Sequence, residues 1–151
     1  MQDIARTLDT LNALIETNVK RSKLYHTLAE KPEHHELRPL FANYAEQSRR
    51  FSNALSTWRS AYGGFAIPEK KSAWSLKSLL DIGLRRSVLI QCEEQEEETL
   101  KLYKSACRES FLPAATQADV QQQTREIERA LSKVRLLRER PAAIREVLVR
   151  S

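Results

Sequence analysis

A carboxylate stands in the middle of an apolar helical row. Across residues 87–111, SVLIQCEEQEEETLKLYKSACRESF, the positions Leu89, Cys92, Thr99, Tyr103 and Ala106 recur at helical spacing, and Glu96 falls on the same row. A helix of this pattern presses its row against other helices, and Glu96 goes in with it. Burying a carboxylate is costly unless it binds a metal, pairs with a cation or keeps its proton. The side chains that meet Glu96 therefore decide what chemistry the chain can hold.

The remainder of the chain supplies the helices to meet it. With 151 residues, 41% hydrophobic, three Gly and five Pro, the composition favours one domain of long helices over a turn-rich β protein. Residues 2 to about 31 read as the first helix, with Ile4, Leu8, Leu11, Ile15, Asn18, Ser22, Tyr25 and Ala29 on one stripe and Pro32 as the stop. Its length of about 45 Å at 1.5 Å per residue suits a bundle. A second helix spans about 36–62, because Pro39 is tolerable only in a first turn. Its stripe is Leu37, Leu40, Phe41, Tyr44, Ser48, Phe51, Leu55, Trp58 and Tyr62, and Gly63-Gly64 ends it. The third helix covers about 84–111, broken by Leu112-Pro113. The fourth runs over about 114–140, with Val120, Thr124, Ile127, Leu131, Val134 and Leu137 inward and Pro141 closing it. Residues 141–151 form a basic tail or a short extra helix around Ile144, Val147 and Leu148.

Connections inside a bundle are usually short, yet residues 63–83 separate helices two and three. A crossover of that length carries the chain from one end of the bundle to the other, with a short amphipathic piece around Trp74, Leu76, Leu79 and Leu80 laid across as a lid. Two antiparallel hairpins joined by one long crossover make the expected fold all-α, a ferritin-like four-helix bundle.

Charge and cysteine usage narrow the function classes. The formal charge is +5. From Arg125 onward there are eight Arg and Lys against four Glu, so the excess sits at the C-terminal end. That end could hold nucleic acid or an anionic surface, but no nucleic-acid motif accompanies it, and the acidic run from Glu93 to Glu98 offers an internal partner on the next helix. Cys92 and Cys107 lie fifteen positions apart on one helix, about 22 Å along its axis, too far to bridge. Two unpaired thiols and the lack of any run long and apolar enough to span a bilayer point to a soluble cytoplasmic protein.

Several segments carry a resemblance: Leu11-Asn12-Ala13-Leu14-Ile15, Leu40-Phe41-Ala42 through Ala45-Glu46-Gln47, the Gly63-Gly64 stop, Cys92-Glu93 with Glu96-Glu97, the Leu112-Pro113 break, and Val134-Arg135-Leu136-Leu137-Arg138. Over most of residues 8–139 the chain resembles a bacterial ferritin-like family of small four-helix proteins that is itself a domain of unknown function. In that family the third helix tends to carry acidic-Cys-Glu-Arg-Gly-Glu-acidic and the fourth a His. Here Gln91 comes first, Glu94-Gln95 stand in the middle, and Leu131 occupies the aligned position of the His.

A ferritin-type pair of metal ions needs a Glu from each of two helices and Glu-x-x-His from each of the other two. No Glu in the chain has a His three positions later, and His26, His34 and His35 all lie in the first helix or the first loop. The expected mid-bundle layer is Asn18, Ser22, Ser48, Glu96 and Gln123 beside Thr124, one carboxylate among neutral groups that hydrogen-bond it. Should iron or manganese bind, Glu93 and Glu96 are the best ligands, with Glu16 and Glu126 as weaker ones. The leading expectation is a non-enzymatic bundle without cofactor that has lost its metal chemistry and works as a self-associating or protein-binding module. The alternatives are a di-metal carboxylate protein and a nucleic-acid or anionic-surface binder acting through the basic C-terminus. His34-His35 reads as a solvated loop pair, and Trp58, Tyr62, Phe65 and Trp74 read as core near the crossover.

Overall fold

The computed structural model describes residues 2–66 and 85–140. Most of the crossover assigned to 63–83, including the Trp74 lid, and all of the tail at 141–151 lie outside the described residues. Those residues form four α-helices and one short 3₁₀ turn, Pro32–His34, with no strand among them. The helices are α1 (Gln2–Ala29), α2 (Arg38–Ala61), α3 (Arg85–Cys107) and α4 (Ala114–Glu139).

Each end has a local cause. Arg38 Nε donates to the Ala29 carbonyl at 2.9 Å, closing α1 from the start of α2. Helix α2 begins at Arg38 rather than Glu36, because residues 32–37 are spent on single turns such as Leu37 N–H to His34 carbonyl at 2.9 Å. Its C-terminus is a Schellman motif: Gly64 N–H reaches the Arg59 carbonyl at 2.9 Å and Gly63 N–H the Ser60 carbonyl at 3.0 Å, with Gly63 at φ +78°. Helix α3 stops at Cys107, short of the expected 111. There i→i+3 bonds from Arg108 to Ser105 and from Glu109 to Ala106, at 3.2 and 3.1 Å, tighten the last turn ahead of Leu112-Pro113.

Cross-helix partners fix the directions. Along α1 and α2 they run as Asn12–Arg59, Asn18–Ser48 and Ala29–Arg38, so these helices are antiparallel. Thr17–Thr99 and Tyr25–Glu96 set α3 antiparallel to α1, and Gln123–Tyr103 and Arg138–Glu93 set α4 antiparallel to α3. It follows that α2 and α3 run parallel, and Ala61 and Arg85 lie at opposite ends of the bundle.

The core is divided in two. One apolar cluster gathers Leu24, Tyr25, Leu28, Leu37, Leu40, Phe41, Val88, Leu89, Cys92, Val134 and Leu137. The other gathers Leu11, Leu14, Phe51, Leu55, Tyr103, Ala106, Val120 and Ile127. Along α1, α2 and α3 the residues separating the two clusters are polar: Asn18 and Arg21, Ser48, and Glu96 with Thr99, all fully buried.

On α2, α3 and α4 the apolar stripe read from the sequence is buried, with Trp58 and Tyr62 at its partly covered end. Helix α1 is turned from its expected face. Ile4 is 53% exposed, and Leu8, Ile15 and Ser22 are half-buried, while Leu14, Arg21, Leu24 and Leu28 point inward. That rotation replaces a serine with an arginine at the centre of the bundle.

Candidate functional site

The polar layer is built around an ion pair sealed from bulk solvent. Arg21 Nε donates to Glu96 Oε1 at 2.6 Å, and both side chains are completely buried. Tyr25, one turn after Arg21 on the same face, donates its hydroxyl to the same Oε1 at 2.7 Å. The guanidinium reaches α2 as well, where Nη1 donates to Ser48 Oγ at 2.7 Å and to the Tyr44 carbonyl at 3.3 Å. Its carbon lies 5.3 Å from the ring centroids of both Tyr25 and Tyr44, so two aromatic faces share the charge.

A chain of hydrogen bonds carries the layer to the other helices. Ser48 Oγ donates to Asn18 Oδ1 at 3.0 Å, and Asn18 Nδ2 donates to the Tyr103 hydroxyl at 2.7 Å. Tyr103 in turn donates to Gln123 Oε1 at 2.6 Å, which brings in α4. Beside this chain Thr17 and Thr99 exchange a hydroxyl contact at 3.4 Å, and Gln95 Nε2 donates to Thr99 at 3.2 Å.

Burial and charge set the protonation states. Burial, the largest single influence on Arg21, pulls its pKa down, but Glu96 together with Tyr25 and Tyr44 outweighs it and the guanidinium ends above its ordinary value. Burial first and Glu96 second push Tyr25 well above the ordinary phenol range, which keeps its proton available to Oε1. The same two causes raise the Tyr44 hydroxyl and the Cys92 thiol, so Cys92 packs as a small apolar group rather than a nucleophile.

Three buried polar atoms at the ion pair have no hydrogen-bond partner among the described residues: Arg21 Nη2, Glu96 Oε2 and the Tyr44 hydroxyl. An unmet buried group costs about 1–3 kcal/mol, more when it is charged.

The expected polar layer is largely together, while the candidate metal ligands Glu93, Glu96, Glu16 and Glu126 are dispersed. Asn18, Ser48, Glu96 and Gln123 share the layer and Ser22 sits half-buried beside it, bonded to the Ala45 carbonyl at 3.0 Å. The partners of Glu96 are Arg21 and Tyr25, however, not Asn18, Ser22, Ser48 or Gln123. Glu93 turns toward α4, where Arg135 Nε meets Oε1 at 3.1 Å and Arg138 Nε meets Oε2. These arginines outweigh the effect of burial and hold the Glu93 carboxyl below the ordinary range. Arg135 also reaches Glu97 at 3.0 Å, so part of the α3 acidic run is matched by α4. Glu16 is exposed and 3.7 Å from Lys20, Glu46 is exposed and paired with Arg49, and Glu126 is half-buried on α4. Two surface expectations change. His34 is buried edge-on to Phe41 with centroids 6.3 Å apart, and Phe65 is 87% exposed rather than core.

A two-ion carboxylate centre does not fit this arrangement. Two divalent cations need several convergent anionic oxygens. Among the described residues no three His, Cys, Asp or Glu side chains come together to hold even one ion. The one carboxylate of the layer is already matched by a fixed positive charge, so a metal there would meet a guanidinium instead of a second Glu.

Sequence reasoning missed Arg21, and the signal for it was the need of Glu96 for a counter-charge. Arg21 lies three positions after Asn18 and four before Tyr25, both of which were placed inward.

A family model described as a domain of unknown function (DUF2383) matches residues 6–109, a span that takes in nearly all of α1, then α2 and α3, and stops before α4. Comparison with curated proteins gives no match. Among the described residues no helix is long and apolar enough to cross a membrane.

Proposed function

The chain belongs to that family of unknown function, and on that premise we propose that it is a non-enzymatic, ferritin-like helical bundle in which an internal salt bridge has taken the place of a metal centre. The observation that carries this reading is the Arg21–Glu96 pair at 2.6 Å, fully buried between the two apolar clusters. The up-down hairpin of α1 and α2, the second hairpin of α3 and α4, and the parallel run of α2 and α3 support the ferritin-like arrangement. With its centre neutral and tied into hydrogen bonds, the bundle acts through its surface, by self-association or by binding another protein.

Elemental analysis tests the reading. Protein produced with added iron and manganese, then purified without chelator, should carry well under one metal ion per chain. Two ions per chain, bound stoichiometrically and retained on dialysis, would overturn it.

The basic row on α4 does not favour a nucleic-acid reading. Arg135 and Arg138 are engaged with Glu93 and Glu97 across the α3–α4 seam, which leaves less charge for phosphates.

A further inference from the structure

The buried centre holds complementary hydrogen-bonding capacity that the described residues do not use. Arg21 has five N–H donors. The Nε hydrogen goes to Glu96, and Nη1 serves Ser48 and the Tyr44 carbonyl. Nη2 donates to nothing among the described residues. Glu96 concentrates two incoming bonds on Oε1 and receives none on Oε2. The Tyr44 hydroxyl, in the field of both charges, has no partner among the described residues either. Arg21 Nη2 thus offers N–H donors, Glu96 Oε2 an anionic acceptor, and Tyr44 a hydroxyl that can play either part.

The ion pair is electrically balanced, so the missing partner must be neutral. It must also both donate and accept, and it must be small enough for a layer between two packed apolar clusters. Those requirements describe water, with its two hydrogens and two lone pairs. A buried water with two to four polar partners is the ordinary means by which such groups are satisfied.

We propose that the Arg21–Glu96 centre is a specific internal water site, the water accepting from Arg21 Nη2, donating to Glu96 Oε2 and completing its bonds at the Tyr44 hydroxyl. The site is separate from the question of metal content in the proposed function. Water there and metal elsewhere, or no water and no metal, are both possible results, and each tests a different statement.

The competing account needs no solvent. On an arginine the Nε and Nη2 hydrogens point to the same side, so a turn of the carboxylate could bring Oε2 onto Nη2 and make a dry two-pronged pair. A crystal structure of the full chain at a resolution that shows ordered solvent separates the two. The expected result is a solvent peak about 2.7–3.2 Å from both Arg21 Nη2 and Glu96 Oε2. A direct Nη2 to Oε2 bond at that distance with no peak would overturn the proposal, and so would a peak with anomalous signal, which would make the occupant a metal ion. In solution, a water-to-protein NMR cross-peak should appear at the Tyr44 hydroxyl proton and vanish in the paired variant Arg21→Met with Glu96→Leu, which takes away both charged anchors. Cross-peaks that survive in that folded variant would place the water elsewhere and refute the site.

Discussion

Removing one partner of the central pair should hurt far more than removing both. Arg21→Met keeps much of the side-chain volume but deletes the bonds to Glu96, Ser48 and the Tyr44 carbonyl, leaving a carboxylate buried with only Tyr25 to hold it. Breaking a buried pair in this way costs about 3–5 kcal/mol. For a domain of this size each kcal/mol lowers the melting temperature by about 2–4 °C, which predicts a fall of about 6–20 °C. Glu96→Leu should cost a similar amount, since it strands the guanidinium between two tyrosine faces. The double variant strands neither charge. It orphans the Tyr25 hydroxyl, worth about 1–3 kcal/mol, and adding Tyr25→Phe should recover most of that. Urea melts of the four proteins would measure the cycle, with each single variant checked for an unchanged slope so that the two-state treatment holds. If the double variant loses about the sum of the two single losses, Arg21 and Glu96 are not partners and the picture of the layer is wrong.

Two other outcomes follow from local geometry. Because the Glu93 carboxyl is held below its ordinary value by Arg138 and Arg135, the seam pair contributes stability that is present above the unfolded-state pKa of about 4.3 and is lost as pH falls through the lower folded value. Glu93→Gln should therefore melt slightly lower than the parent at pH 7, by about 0.2–1 kcal/mol, and the gap should close in acid; a gap that widens on acidification would contradict the assignment. Gly63→Ala should cost about 1 kcal/mol through its φ of +78° alone, because a methyl there meets nothing within 4 Å, and a loss no larger than the measurement error would argue against the left-handed cap.

Glu96 was legible because its row is long and unambiguous. Leu89, Cys92, Thr99, Tyr103 and Ala106 admit one face only, and all five are buried. Helix α1 gave no such certainty. Its inward positions can be stepped through Leu11, Leu14, Asn18, Arg21, Tyr25 and Leu28, or through Leu11, Ile15, Asn18, Ser22, Tyr25 and Ala29, two rows that share every other member. Both satisfy a 3.6-residue period. Choosing between them by residue type favours serine over arginine inside, and that preference fails where a buried carboxylate elsewhere supplies the counter-charge. The information lay in a pair of residues 75 positions apart, which no reading of one helix at a time can register. His34 was hidden for a related reason: a histidine beside a second histidine and two glutamates looks solvated, and only the fold of the 32–37 turns puts it on Phe41.

The span matched by the family model leaves out the fourth helix, which completes both apolar clusters. Residues 6–109 hold Asn18, Arg21, Tyr25, Tyr44, Ser48, Glu96 and Tyr103, so all but one link of the hydrogen-bonded chain through the layer lies within the matched span. Outside it lies α4, which gives that chain only Gln123 but adds Ala130, Val134 and Leu137 to one apolar cluster and Val120 and Ile127 to the other. Without those side chains the second cluster would open to water along α3. A buried ion pair keeps its strength in low dielectric only while bulk solvent is kept from competing for its charges. The fourth helix thus acts on the layer at a distance, by shutting bulk solvent out so that Arg21 and Glu96 depend on each other.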